Sequence, residues 1–170
     1  MKVIQLRNAV NDFASIDFSE IDMNAVVKEG RIDLIKEKQL TWNRNTGDNI
    51  SDCPFYIGSI PIFDSDKLGD TFSDLNVKSA EFYVDGKSYT IIIAPQLAGS
   101  LINREASDMR TFRSGKIMYV RKYVFNPGYQ YPVIFTPQEY ALFTFCNMEM
   151  AKKLLACHFN ELKFIECEIV

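Results

Sequence analysis

The 170-residue chain has a single histidine, four cysteines, one tryptophan, and only 8 glycines and 6 prolines. Each shortage removes a class of chemistry. With only His158 available as an imidazole, a Ser-His-Asp or Cys-His centre would have to use it. Its neighbour Cys157 is the obvious nucleophile, but adjacent helical residues point about 100° apart. His158 is therefore expected to be a core or boundary residue. The cysteines, Cys53, Cys146, Cys157 and Cys167, never form the close C-x2-4-C knuckle of a structural zinc site. In a chain without an apolar leader they read as reduced, buried thiols, with no disulfide. Gly-Lys pairs occur in GKIMYV and DGKSYT, but without the upstream glycine of a phosphate loop, and nothing resembles G-x-G-x-x-G. No cofactor and no metal is expected.

Long hydrophobic runs are also missing. TIIIAP and YALFTF fall far short of the roughly 20 residues of a membrane-spanning helix, and MKVIQLRNAVNDF lacks the apolar core of a signal peptide. The expectation is a cytoplasmic protein with no membrane contact. Positive charge is not in excess either: the formal net charge is −3. Residues 1–80 carry 13 acids and 9 bases, and residues 81–170 carry 9 acids and 10 bases. That balance disfavours a broad nucleic-acid surface. It leaves a local basic strip at Arg104, Arg110, Arg113, Lys116, Arg121 and Lys122.

What the chain does have is apolar material, 47% hydrophobic and 13% aromatic, enough for one domain with a real core. VIQL opens as a short strand, and RIDLIKEKQLTW has helical or mixed spacing. SAEFYVDGKSYTIII is a hairpin, because Asp85-Gly86 tolerates the positive φ angles of a type I′ turn. Pairing Val84 with Lys87 puts Phe82 opposite Tyr89 and Ala80 opposite Ile91. These residues and Ile93 share an apolar face, while Glu81, Tyr83, Ser88 and Thr90 share a wet one.

Before the hairpin, FDSDKLGDTFSDL fits a helix near 65–75 with Asp64 or Ser65 as N-cap and Leu68, Phe72 and Leu75 as its buried stripe. On such a helix Asp66, Asp70 and Asp74 stack at i, i+4 and i+8. Like charges at that spacing oppose the helix, so the ridge points to a basic partner, the open alternative being a solvated acidic face.

After the hairpin, GKIMYVRKYVF reads as a strand with Tyr119, Arg121, Tyr123 and Phe125 on one face. Tyr119, Arg121 and Tyr123 could stack single-stranded bases or pack under a covering loop. Near the C-terminus Asn147 caps a helix over 148–158 whose apolar side comprises Met150, Ala151, Leu154, Leu155 and His158. In the closing ELKFIECEIV the apolar phase shifts between Leu162/Phe164 and Ile165/Cys167/Ile169, which calls for a bulge or for burial of both faces. The resulting fold class is α+β: a mainly antiparallel sheet built from the hairpin, the 117–125 strand and the C-terminal strands, with a few helices packed on one face.

From about Asp52 to the end the chain resembles a family of bacterial polymorphic-toxin immunity proteins, immunity group eleven. Four segments carry the likeness: SDCPFYIGSIPIFDSDKLGD; the EFYVDGKSYTIII hairpin; LINREASDMR with GKIMYVRKYVF; and IFTPQEYALFTF leading into NMEMAKKLLACHFNELKF. Asn103 stands where the family has aspartate, and Asn160-Glu161 where glycine is usual. Length and composition give one domain over 1–170, in which residues 1–50 are poorly assigned and 51–170 is the immunity-like region; the resemblance implies that it binds and neutralises a cognate toxin without catalysis. Asp66, Asp70 and Asp74 would then be partner-binding residues. The readings from other classes are a small hydrolase with a carboxylate pair and a single-stranded nucleic-acid binder.

Overall fold

The computed structural model describes residues 2–8 and 11–170. Its strands are β1 (Val3–Asn8), β2 (Ser15–Ile16), β3 (Gln39–Leu40), β4 (Trp42–Asn43), β5 (Ile62–Asp64), β6 (Lys78–Val84) and β7 (Lys87–Ile93), followed by β8 (Gln96–Leu97), β9 (Asp108–Thr111), β10 (Ile117–Lys122), β11 (Val124–Phe125), β12 (Ile134–Pro137), β13 (Phe145–Asn147) and β14 (Leu162–Ile169). The helices are α1 (Met23–Glu29), α2 (Ser65–Leu68) and α3 (Met148–Ala156). The class is α+β, but the strands do not join into one sheet. A four-stranded sheet runs β3-β6-β7-β5, a six-stranded sheet runs β11-β14-β1-β13-β12-β8, and β9-β10 forms a ribbon apart from both. Most pairings are antiparallel, but β3/β6, β8/β12 and β11/β14 are parallel.

The β6–β7 hairpin has the register expected from its turn, with Val84 opposite Lys87, Phe82 opposite Tyr89 and Ala80 opposite Ile91. Asp85 and Gly86 both take positive φ, 48° and 82°, as a type I′ turn demands. Ala80, Phe82, Val84, Tyr89 and Ile91 are buried, together with Met23 and Val26 of α1. The opposite face is not wet throughout. Ile92 is fully buried there, in a second core with Phe63 of β5.

That second core also takes Ile4 and Leu6 of β1, Cys146 of β13, Leu162, and Met150, Ala151 and Leu154 of α3, so it joins the two sheets. A third core lies on the far side of the six-stranded sheet, where Val3, Phe125, Phe135, Phe145 and Cys167 meet. Alternation along each strand sorts neighbours into opposite cores. Val3 and Ile4, Ile134 and Phe135, and Phe145 and Cys146 each divide in this way. The phase shift in β14 has the same cause. Its register with β1 is unbroken from Asn8↔Leu162 to Val3↔Cys167, so no bulge occurs. Leu162 and Phe164 instead pack into the core between the sheets, and Cys167 and Ile169 into the far one.

Four other expectations change. α2 stops at Leu68, because Gly69 at φ 54° turns the chain out of the helix. The helices do not share a face: α1 packs beside the four-stranded sheet, while α3 packs against β1 and β13. The 117–125 strand divides into β10 in the ribbon and β11 in the large sheet. Asn147 does cap α3, its Oδ1 accepting from the Met150 N–H at 2.9 Å, yet Leu155 and His158 are exposed. The helix ends near Cys157, with His158 at φ 57° in the left-handed position that follows many helices.

Candidate functional site

Asp66, Asp70 and Asp74 are all exposed. They do not stack on one helix, since only Asp66 lies in α2, and Asp70 and Asp74 occupy the turns that follow. The segment is nonetheless held in place. Asp64 caps α2 by accepting from the Asp66 N–H at 3.0 Å, and its other oxygen takes Lys87 at 2.7 Å. Leu68 and Phe72 are buried, and Phe72 stacks on Phe63 with ring centroids 6.2 Å apart. The Thr71 hydroxyl donates to the Leu68 carbonyl at 2.6 Å. None of the three acids takes part in an ion pair among the described residues. The cation within this segment, Lys67, is already committed to Asp52.

Asp52 is a node that the sequence reading did not single out. It is buried, and its Oδ2 accepts from Lys67 Nζ at 2.6 Å and from the Asn160 N–H at 2.7 Å. Its Oδ1 faces the Glu161 N–H at 3.4 Å. Lys67 also donates to the His158 carbonyl at 3.3 Å. Burial by itself would raise the Asp52 pKa, but hydrogen bonds with the Glu161 side chain, Lys67 and the two backbone N–H groups outweigh it and hold the group at about 2. Glu161 moves the other way, pushed up by burial and by the adjacent Asp52 carboxylate. A shared site that favours one charge over two is the cause. Here the carboxylate pair is a staple, tying the chain after α3 to the loop before β5. The partners lie up to 109 residues apart in the chain, so no local pattern announced them.

His158 is exposed, so of the core and boundary readings the core one fails, and Cys157 is half-buried where a buried thiol was expected. The Cys157 thiol contacts the Thr71 hydroxyl at 3.4 Å and the Lys153 carbonyl at 3.4 Å, contacts of a helix end. The other three cysteines are buried, and all four are free thiols. Among the described residues no group of three His, Cys, Asp or Glu side chains could hold a metal ion. Among the described residues no helix is long and apolar enough to cross a membrane.

The proposed Tyr119/Arg121/Tyr123 face does not form. Irregularities in the β9–β10 ladder and the change of sheet after Lys122 turn Tyr123 inward, where its ring meets Phe145 at 4.9 Å. Tyr119 stays on the ribbon with Arg110 and Arg121, 5.8 and 5.6 Å from its ring centroid. The guanidiniums therefore occupy the neighbourhood of the one aromatic left on that face.

No protein-family model and no curated protein matches the chain.

Proposed function

We propose that the protein is a non-catalytic, cytoplasmic immunity protein that binds a cognate bacterial toxin and neutralises it by covering its surface. The observation that carries this reading is the 65–75 segment. Three carboxylates without ion-pair partners among the described residues stand on a backbone pinned by buried Leu68 and Phe72. A surface already fixed in place loses little conformational freedom on binding, and its charge steers an oppositely charged partner. The segments that resemble the immunity family add support, since they supply the hairpin sheet, the acidic segment and the β13–α3–β14 unit. The chemistry in this reading belongs to the toxin, and a basic cleft such as a nuclease carries would suit the acids.

The test is binding to the toxin domain encoded in the reading frame immediately upstream, together with growth protection when that domain is expressed. The wild type should bind and protect. Changing Asp66, Asp70 and Asp74 together to lysine should slow association about tenfold or more at low salt, with the gap closing as salt rises. A wild type that neither binds nor protects would end the immunity reading, and a triple variant with unchanged rates would remove the acids from the interface.

A further inference from the structure

Ile57 has an environment that the acidic segment does not explain. It is 69% exposed, and its φ of 46° places a β-branched residue in the left-handed region, where the methyl groups crowd the backbone. Such strain persists only where the surroundings impose it. Here they do. Phe55 and Ile60 are buried on either side, the Tyr56 N–H donates to the Ile60 carbonyl at 2.9 Å, and the Ser59 carbonyl accepts from Thr144 Oγ1 at 2.9 Å. The loop is thus a rigid pedestal with an aliphatic knob on top.

The knob stands where three grooves meet, of about 670, 590 and 250 Å³, each of which it lines. The largest also holds Leu142 and Ile165, 41% and 40% exposed, so three of the chain's exposed large aliphatic residues share one groove. Among the described residues its charged lining is Arg7 and Lys163, with no carboxylate. These two cations sit directly opposite each other on β1 and β14. Like charges so placed destabilise a sheet, and neither has an ion-pair partner among the described residues. Arg7 instead lies over the Phe143 ring, 5.1 Å from its centroid.

We infer that this groove is the apolar anchor of the toxin interface, taking a toxin side chain of aliphatic character flanked by carboxylates. The inference rests on the immunity reading. A protein occupant fits better than nucleic acid, because branched aliphatics offer no stacking face and Arg7 already covers Phe143. In this arrangement the Asp66/Asp70/Asp74 segment governs association and the Ile57 groove governs residence time. A few well-packed, desolvated residues carry most of the affinity in protein interfaces, and Ile57 held in a groove with Arg7 has that setting.

Two variants separate binding from folding, because each should relieve the fold while harming the interface. Ile57→Asn suits the left-handed backbone but removes the aliphatic knob. Lys163→Glu turns the opposed cations into an opposite-charge pair but cancels the groove's net positive charge. With the upstream-encoded toxin domain, each variant should dissociate about tenfold faster. Their thermal midpoints should be equal to or above the wild type's. A wild type that does not bind the toxin overturns the immunity reading and this inference together. Binding by the wild type with both variants unchanged overturns the groove alone. Weaker binding accompanied by lowered midpoints assigns these residues to the fold and also overturns it, as does self-association of the wild type that Ile57→Asn abolishes.

Discussion

Replacing Asp52 by asparagine should be among the most damaging single-atom changes in the chain. The carboxylate accepts from Lys67 at 2.6 Å and the Asn160 N–H at 2.7 Å, with the Glu161 N–H at 3.4 Å. Asparagine keeps one acceptor oxygen and turns an amide NH2 into a site where Lys67 and the two backbone N–H groups are donors, with the Glu161 carboxyl offsetting part of the loss as an acceptor. Hydrogen bonds to a charged group contribute about 1.5–3 kcal/mol each, and breaking a buried ion pair costs about 3–5 kcal/mol. Lys67 is 33% exposed and can turn to water, which reduces the loss. We expect about 2–3 kcal/mol in urea unfolding, or about 4–12 °C in thermal midpoint for a chain of this size.

The pH profile supplies a second signature. The folded pKa of Asp52, about 2, lies below its ordinary value of 3.8, so the ionised carboxylate stabilises the fold above the higher value and loses that contribution as pH falls towards the lower one. Asp52's share of the drop in wild-type stability between about pH 4 and pH 2 should amount to about 1–2 kcal/mol after discounting for solvent near Lys67, and that share should be missing in Asp52→Asn, leaving the part due to Asp17, Asp33 and Glu168. Glu161, whose pKa is raised, acts with the opposite sign: its contribution is present below its ordinary value and fades as pH rises through the folded one. Amide exchange at Asn160 should quicken in the variant. A midpoint within about 1 °C of the wild type, with a parallel acid limb, would refute the staple.

Two further outcomes follow from local geometry. Gly86→Ala should cost about 1 kcal/mol in urea unfolding, because Gly86 sits at φ 82° with open space around it, so the penalty is one of backbone alone. Under native conditions at pH 8 a thiol reagent should modify Cys157 first by mass spectrometry, since burial pushes the Cys146 and Cys167 thiols up to about 12; rapid labelling of either would show that the cores open easily.

The parts of the fold that could be read from sequence were those decided by neighbours in the chain. The β6–β7 register, the Asn147 cap and the buried Leu68 and Phe72 are short-range consequences of turn chemistry and periodicity. Failures occurred where a residue a few positions away or a distant strand intervened. Gly69 ended α2 and dissolved the helical acid ridge, and the departure of β11 to another sheet turned Tyr123 away from Arg121. The phase shift in β14 was visible, but choosing between a bulge and two buried faces required knowing that cores lie on both sides of the sheet.

By itself, then, the sequence determined the hairpin, the capped C-terminal helix, the absence of familiar catalytic and metal-binding spacings, and the acids of the 65–75 segment. Tertiary structure alone decided that Asp52 meets Lys67 and the chain after α3, that Arg7 faces Lys163, and that Ile57 stands between grooves. The division has a physical basis: turns, caps and periodicity act over a few residues, whereas a buried carboxylate or an opposed pair of cations exists only once strands distant in the chain are brought side by side.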